Sequence, residues 1–275
     1  MSTKTEKIWI CPKCGGDMSP QGNSLRCTAG HTYDRAREGY YNFLLGAGGT
    51  HGDNRNMLTA RRAFLETGSY APLAQAVSED VAAHLPEGGV LLDAGAGEGY
   101  YTAGIAGALR AEGRDIRIYA VDVSRDAVRM TAKRDRTLHT AVASVYHLPV
   151  RPAGVDVVLN MFAPFAREEY LRVLCPGGVL VMAIPEREHL FGLKAAIYDT
   201  PYKNEVAPAP VVGFTLLAER ELRYSLTLPT PQAVAALFAM TPYAYRTSPE
   251  GRARVAALRE LTTEVHFRVF TYRKD

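Results

Sequence analysis

Residues 90–102, VLLDAGAGEGYYT, constrain the fold more than any other stretch of the chain. A short apolar run, Val90-Leu91-Leu92, ends in Asp93 and passes directly into Gly95-x-Gly97-x-Gly99, after which a helical pattern begins. A buried parallel strand delivers a nucleotide-like ligand to a helix N-terminus in this way. Gly95 and Gly97 permit a tight turn with positive φ and a close approach of backbone to ligand, and Gly99 permits close entry into the helix. A glycine turn alone leaves the ligand open.

Asp122 narrows it. This acid closes the β-branched run IRIYAVD, 116–122, which reads as the second strand of a Rossmann-like unit. A carboxylate there is placed to accept hydrogen bonds from two ribose hydroxyls, a property NAD would share. The turn, however, is D-x-G-x-G-x-G, without the glycine spacing of a dinucleotide fingerprint, and its leading acid would repel a pyrophosphate. A sulfonium cofactor gains from that acidity. The turn resembles motif I of the class I S-adenosylmethionine-dependent methyltransferases.

The remaining pattern predicts an α/β fold of that class, a Rossmann-like, seven-stranded and mostly parallel sheet. Helices are expected over 57–66, with Met57, Ala60 and Phe64 on one face, and from Tyr70-Ala71-Pro72 to about Leu85. A helix at 100–109 follows the glycine turn, and another starts at Ser124 as its N-cap. Strands are expected at 140–145, 155–161 and 179–184, the last after a Cys175-Pro176-Gly177-Gly178 turn. Ser144 falls where this fold usually has a residue near the adenine. Beyond a short helix at 167–174 come a helix carrying Glu188, His189 and Lys194, and a proline-rich loop at 201–210. An alternating stretch at 214–228, a helix at 231–240 and an antiparallel last strand at 265–270 complete the chain.

Upstream, Cys11 and Cys14 in CPKC and Cys27 and His31 in CTAGH have the spacing of a tetrahedral zinc site, two short loops each presenting two ligands. Four protein ligands leave no open position for water, so a structural role is expected. Cys175 stands apart from this set. Tyr40, Tyr41 and Phe43 then lie close to Arg35 and Arg37. They suit either base stacking or the hydrophobic skirt with which a small zinc module docks on its neighbour. The expected organisation is a zinc-binding module at 1–45, a glycine-rich linker at 46–56 and a methyltransferase domain at 57–275.

Composition excludes little more. With 275 residues and 47% hydrophobic content the chain can bury a full α/β core plus a small module. A net charge of +3 argues neither for nor against nucleic acid. No apolar run has the length of a membrane span and no signal-peptide core is visible, so a soluble, cytoplasmic protein without a membrane partner is expected. Reduced cysteines in that compartment favour metal over disulfides.

In order along nearly the whole chain, CPKC, CTAGH, YDRAREGYYN, GDNRNM, ARRAFLETGSYAPL, LDAGAGEGYYT, the FAP after the fourth strand, PGG, IPEREHL, GFT and MTPYAYR resemble the RlmA/TlrB-type 23S rRNA guanine-(N1)-methyltransferases. The resemblance implies methyl transfer from S-adenosylmethionine to N1 of a guanine in a 23S rRNA hairpin, with the zinc module helping to hold the RNA. It implies a cofactor site of Tyr70, Gly97, Glu98, Gly99, Asp122 and His189, beside Asp93, Gly95 and Ser144 from the turn and strand readings, and zinc on Cys11, Cys14, Cys27 and His31. One branch of the family has RIYAP where this chain has Asn160-Met161-Phe162-Ala163-Pro164, which leaves the target guanine open. In that loop Asn160 is expected to hydrogen-bond the base edge and Phe162 to stack on its face. Arg35, Arg37, Arg55, Arg61 and Arg62 are candidate phosphate contacts. No residue declares itself as the base that removes the N1 proton. The competing readings are a small-molecule methyltransferase and a zinc-bearing RNA-binding protein with an inactive methyltransferase fold. Either a monomer or a homodimer suits the sequence.

Overall fold

The structure is a computed structural model that describes residues 8–46, 52–206 and 211–275. Residues 47–51 of the expected linker and 207–210 of the expected proline-rich loop lie outside the described residues.

The N-terminal module is a three-stranded antiparallel sheet of β1 (Met18–Gln21), β2 (Ser24–Cys27) and β3 (Thr32–Asp34), followed by the short β4 (Tyr41–Asn42). Two helices precede the main sheet. In α1 (Arg55–Leu65) the N-cap Asn54 accepts the Met57 amide at 3.1 Å, and α2 (Ala71–His84) opens with Pro72 in its first turn.

The alternating units β5 (Val90–Ala94), α3 (Tyr100–Ala111), β6 (Arg117–Asp122), α4 (Arg125–Arg134) and β7 (His139–Val142) come next. They are followed by β8 (Val155–Met161), α5 (Arg167–Val173), β9 (Leu174–Pro185) and α6 (Phe191–Ile197). The chain closes with β10 (Phe214–Leu228), α7 (Pro231–Met240), α8 (Tyr243–Arg246), α9 (Pro249–Ala257) and β11 (Leu261–Lys274). Among the described residues, no helix is long and apolar enough to cross a membrane.

The main sheet runs β10-β11-β9-β8-β5-β6-β7-β4, with β11 antiparallel to both of its neighbours and all other pairs parallel. Every residue of β5 is buried, as an apolar run covered by helices on both faces requires. The order reverses at β5, where β6 lies on one side and β8 on the other, and a crevice opens there beyond the strand ends.

Seven of these strands are the expected ones. The eighth, β4, comes from the cysteine-rich module, pairing Tyr41 with Ala141 and Asn42 with Val142. The Phe43 amide continues the ladder to the Val142 carbonyl at 2.9 Å, and the Ile10 amide bonds the Pro149 carbonyl at 2.9 Å. Tyr40, Tyr41 and Phe43 are buried, and Phe43 packs against Trp9, Tyr33 and Tyr41. These aromatics are therefore the docking skirt and are not available to stack on bases.

Two local expectations are corrected. The segment 175–178 belongs to β9, which starts at Leu174 and absorbs the glycines at a register shift opposite Val155/Val157. Glu188 and His189 precede α6, because Leu190 takes a left-handed conformation at φ 56 and the helix begins at Phe191. The helix α9 was not expected. Its first turn is capped by Ser248, which accepts the Gly251 amide at 3.2 Å, a signal visible in SPEG.

Candidate functional site

A cavity of about 750 Å³ opens at the carboxyl ends of β5, β6, β7 and β8. Its floor is the glycine turn. The Gly95 and Ala96 amides both donate to the Val121 carbonyl, at 2.9 and 3.0 Å, folding the turn onto β6. A Cβ on Gly95 would lie 2.4 Å from the Ala163 Cβ, and one on Gly99 2.8 Å from Thr131 Cγ2, so the turn is clamped between the loop after β8 and helix α4. All three glycines have positive φ.

Two carboxylates flank the turn. Asp122 accepts the Gly97 amide at 2.9 Å and the Ser124 amide at 2.8 Å, and burial raises its pKa. Asp93 accepts the Thr102 hydroxyl at 2.5 Å through Oδ2, while its Oδ1 is buried without a partner. Burial pushes the Asp93 carboxyl up to about 7, the Asp122 charge adding to the effect and the Thr102 bond opposing it. An orphaned buried carboxylate oxygen beside a cradle too tight for side chains fits a cationic ligand carrying ribose. Both acids line the cavity together with Ser144, whose Oγ accepts the Tyr146 amide at 3.2 Å.

Tyr70 and His189 meet in the cavity wall with Oη and Nε2 3.4 Å apart. His189 Nδ1 accepts the His266 amide at 3.3 Å, which leaves the proton on Nε2. Burial, aided by the Lys194 and His266 charges, holds its pKa down to about 3, so the imidazole is neutral near pH 7. Glu98 lies at the turn, but its carboxylate is turned into ion pairs with Arg62 at 3.0 Å and Arg134 at 2.5 Å, tying α1 and α4 together. Those pairs use Oε2; the other carboxylate oxygen, Oε1, is buried without a partner.

The loop after β8 separates the two residues expected there. Phe162 lines the cavity, is 42% exposed, and adopts φ 57, a left-handed conformation that costs an L-residue about 1 kcal/mol or more. It leans on Phe267 and Tyr101, with ring centroids 5.2 and 6.4 Å away. Asn160, by contrast, is 1% exposed, and its amide nitrogen donates to the Pro164 carbonyl at 3.1 Å and the Tyr170 hydroxyl at 2.7 Å. The expectation that Asn160 reads a base edge is corrected: its donors are spent holding the loop that carries Phe162. Tyr101, Tyr243 and Phe267 also line the cavity and were missed. Tyr243 lies in the MTPYAYR motif and Phe267 at an inward position of an alternating strand, but nothing in the sequence aimed either at the glycine turn.

Among the expected phosphate contacts, Arg61 lines the cavity and pairs with Asp53 at 2.5 Å, and Arg62 is committed to Glu98. Arg35 donates to the Gly39 carbonyl at 2.9 Å, and Arg37 and Arg55 are exposed.

In the module, the donor atoms of Cys11, Cys14, Cys27 and His31 lie within 4.8 Å of one another. Cys11 Sγ and Cys27 Sγ lie 3.5 and 3.3 Å from His31 Nδ1, and Cys14 Sγ lies 3.7 Å from Cys27 Sγ. A zinc tetrahedron with thiolates at about 2.3 Å and an imidazole at about 2.0–2.1 Å has edges of about 3.5–3.8 Å. The residues therefore fit zinc, and Tyr33 Oη, 3.3 Å from Cys11 Sγ, supports the set from outside. Cys175 lies elsewhere, 3.6 Å from Asp156.

Residues 9–45 match the family described as RlmA, N-terminal, and residues 92–182 match the methyltransferase domain family. A 23S rRNA (guanine(748)-N(1))-methyltransferase of Streptomyces fradiae is 32% identical over 94% of this chain and 95% of its own length. A Micromonospora griseorubida protein, provisionally named as a 23S rRNA (guanine-N(1)-)-methyltransferase, is 35% identical over 96% of each chain. YxjB of Bacillus subtilis, provisionally named in the same way, is 33% identical over 92% of each.

Proposed function

The chain belongs to the family of 23S rRNA guanine-N1-methyltransferases, and from that premise we propose that it transfers the methyl group of S-adenosylmethionine to N1 of a guanine in a 23S rRNA hairpin. When bound, the cofactor supplies a methyl group already activated on a sulfonium, so the protein's task is alignment. Asp122 and Ser144 would hold the nucleoside end, the Gly95–Gly99 turn would admit it, and Asp93, Tyr70 and His189 would enclose the remainder.

The observation that carries the reading is Phe162, an aromatic ring held left-handed and exposed at a cavity that is otherwise a cofactor site. A guanine turned out of its stack could lie on that ring, with its N1 edge directed inward. Tyr146, 55% exposed, also lines the cavity. Exposed rings at the opening favour a macromolecular acceptor over a small molecule sealed beneath a lid.

In this reading residues 1–45 are the zinc-binding module that helps hold the RNA, 46–56 the linker and 57–275 the catalytic domain. The parallel pairing of β4 with β7 supports it, because it fastens the module beside the strand whose following loop carries Ser144 and Tyr146. Ribosomal RNA as acceptor makes the cytoplasm the site of action, and a homodimer suits the same reading. Incubation with labelled S-adenosylmethionine and unmodified 23S rRNA, followed by mapping of the labelled base, tests it. Label at a guanine N1 is expected, and label confined to small molecules would overturn the proposal.

A further inference from the structure

We infer that Arg61 is the receptor for the carboxylate of the cofactor's methionine moiety, an inference that rests on the S-adenosylmethionine reading of the cavity. Among the described residues lining the cavity, Asp53, Asp93, Glu98 and Asp122 are acidic, and Arg61 is the one Lys or Arg. The cofactor carries a sulfonium and an ammonium, which suit the acids, and one carboxylate, which does not. Glu98 is already neutralised by Arg62 and Arg134, but a carboxylate placed near Asp53, Asp93 and Asp122 without a cation of its own would be repelled.

The neighbouring arginines are already engaged. Arg62 and Arg134 both pair with Glu98, and each also lies within ion-pair distance of Glu66. Arg61 stands over the glycine turn: a Cβ on Gly97 would lie 3.4 Å from its Nη1. Its pairing with Asp53, at 2.5 Å, is through Nη1, and a guanidinium has five N–H donors in a planar fork, so a second carboxylate can be held alongside. Both partners are half-buried, with side chains 27% and 32% exposed, an environment in which such a bond is screened less than at an open surface.

Asp53 is positioned by the chain around it. Ser124 donates to the Asp53 carbonyl at 2.9 Å, and Gly52 fits so closely against Val123 and Ser124 that a Cβ would come within 2.9 Å of both. Next to it, Asn54 caps α1 and donates to the Tyr245 hydroxyl at 2.7 Å. Arg61 is thereby oriented from the first turns of the helix that follows the linker, and the carboxylate it recognises would be read by an element outside the strands and turn of the nucleotide-binding unit.

Calorimetric titration of the full-length, zinc-loaded protein with S-adenosylmethionine and with its decarboxylated analogue isolates the carboxylate. The wild type is expected to prefer the carboxylated ligand by about 10- to 100-fold, the range of a charge-assisted hydrogen bond. Arg61→Leu should bring that ratio to within about threefold while leaving affinity for the decarboxylated ligand nearly unchanged. Arg61→Lys, which keeps the charge without the fork, should give an intermediate ratio and guards against misfolding of the leucine variant. A ratio unchanged in both variants would overturn the inference, as would an unchanged ratio accompanied by weaker RNA binding, which would make Arg61 a phosphate contact. Wild-type protein that bound neither ligand would overturn the cofactor reading and this inference with it.

Discussion

The indole of Trp9, from the zinc module, stands edge-on against the ring of Tyr119 in the middle of β6, with centroids 5.1 Å apart and planes at 85°. Both residues are almost wholly buried. Trp9 is two positions from the zinc-site residue Cys11 and also packs against Phe43, whose neighbour Tyr33 reaches the Cys11 sulfur. Zinc site, docking skirt and nucleotide-binding sheet are thus continuous in packing, although they read as separate units along the chain.

Trp9 is the only tryptophan, which makes this contact directly observable. Removing zinc with a chelator, or replacing Cys14 with Ser, is expected to shift tryptophan emission to the red as the module loosens from the sheet. RNA methylation should fall by about 10- to 100-fold, the scale set by disturbing a metal site. Affinity for S-adenosylmethionine should fall far less. Equal losses of RNA methylation and cofactor affinity would contradict this division of labour.

Phe162→Ala removes the proposed stacking surface and leaves the glycine turn intact. Stacking of a base on an aromatic ring is worth about 1–3 kcal/mol, so methylation efficiency on RNA should drop by roughly 10- to 100-fold. Cofactor affinity measured in parallel should stay close to that of the wild type. A variant that methylated RNA normally would remove Phe162 from the acceptor site.

Asp93 supplies a pH dependence. Its raised value means that the folded protein holds a proton at a pH where the unfolded chain has released it, so this group costs stability as pH rises from the usual carboxylate range through about 7. A cationic cofactor favours the ionised form. Affinity for S-adenosylmethionine should therefore increase between pH 6 and 8, by up to about tenfold, and level off above that. Asp93→Asn should bind more weakly with a flat profile, and an unaltered slope in that variant would assign the dependence to another group.

Asn160→Leu tests the corrected role of that residue. Loss of its bonds to the Pro164 carbonyl and the Tyr170 hydroxyl should lower stability by about 1–3 kcal/mol, readable in thermal unfolding. Turnover should fall because the loop carrying Phe162 shifts. Full stability with lost turnover would instead return Asn160 to a direct part in catalysis.

Much of the fold was legible because each signal was local. The apolar run before Asp93, the β-branched run before Asp122 and the Ser124 cap each act within one turn or one strand, and the elements form where those signals lie. The helix start at Phe191 and the strand through residues 174–178 were not legible, since a left-handed Leu190 and a register shift against β8 arise from packing. Nor was the placement of the arginines. Arg61 and Arg62 are adjacent in sequence, yet one lines the cavity and the other is bound to Glu98, because successive positions on a helix point about 100° apart.

The sequence by itself determined the chemistry available: a glycine turn between two acids, a four-ligand set at zinc spacing, and a chain long enough to bury both in one protein. Backbone permissiveness and ligand spacing are encoded within a few residues, so they can be read without the fold. Only the tertiary structure decided that Tyr40, Tyr41 and Phe43 dock the module, that β4 extends the sheet as an eighth strand, and that Phe162 faces the cavity while Asn160 braces it. Those outcomes depend on which surfaces meet across long sequence separations, where burial and hydrogen-bond satisfaction choose between roles that side-chain chemistry alone leaves equivalent.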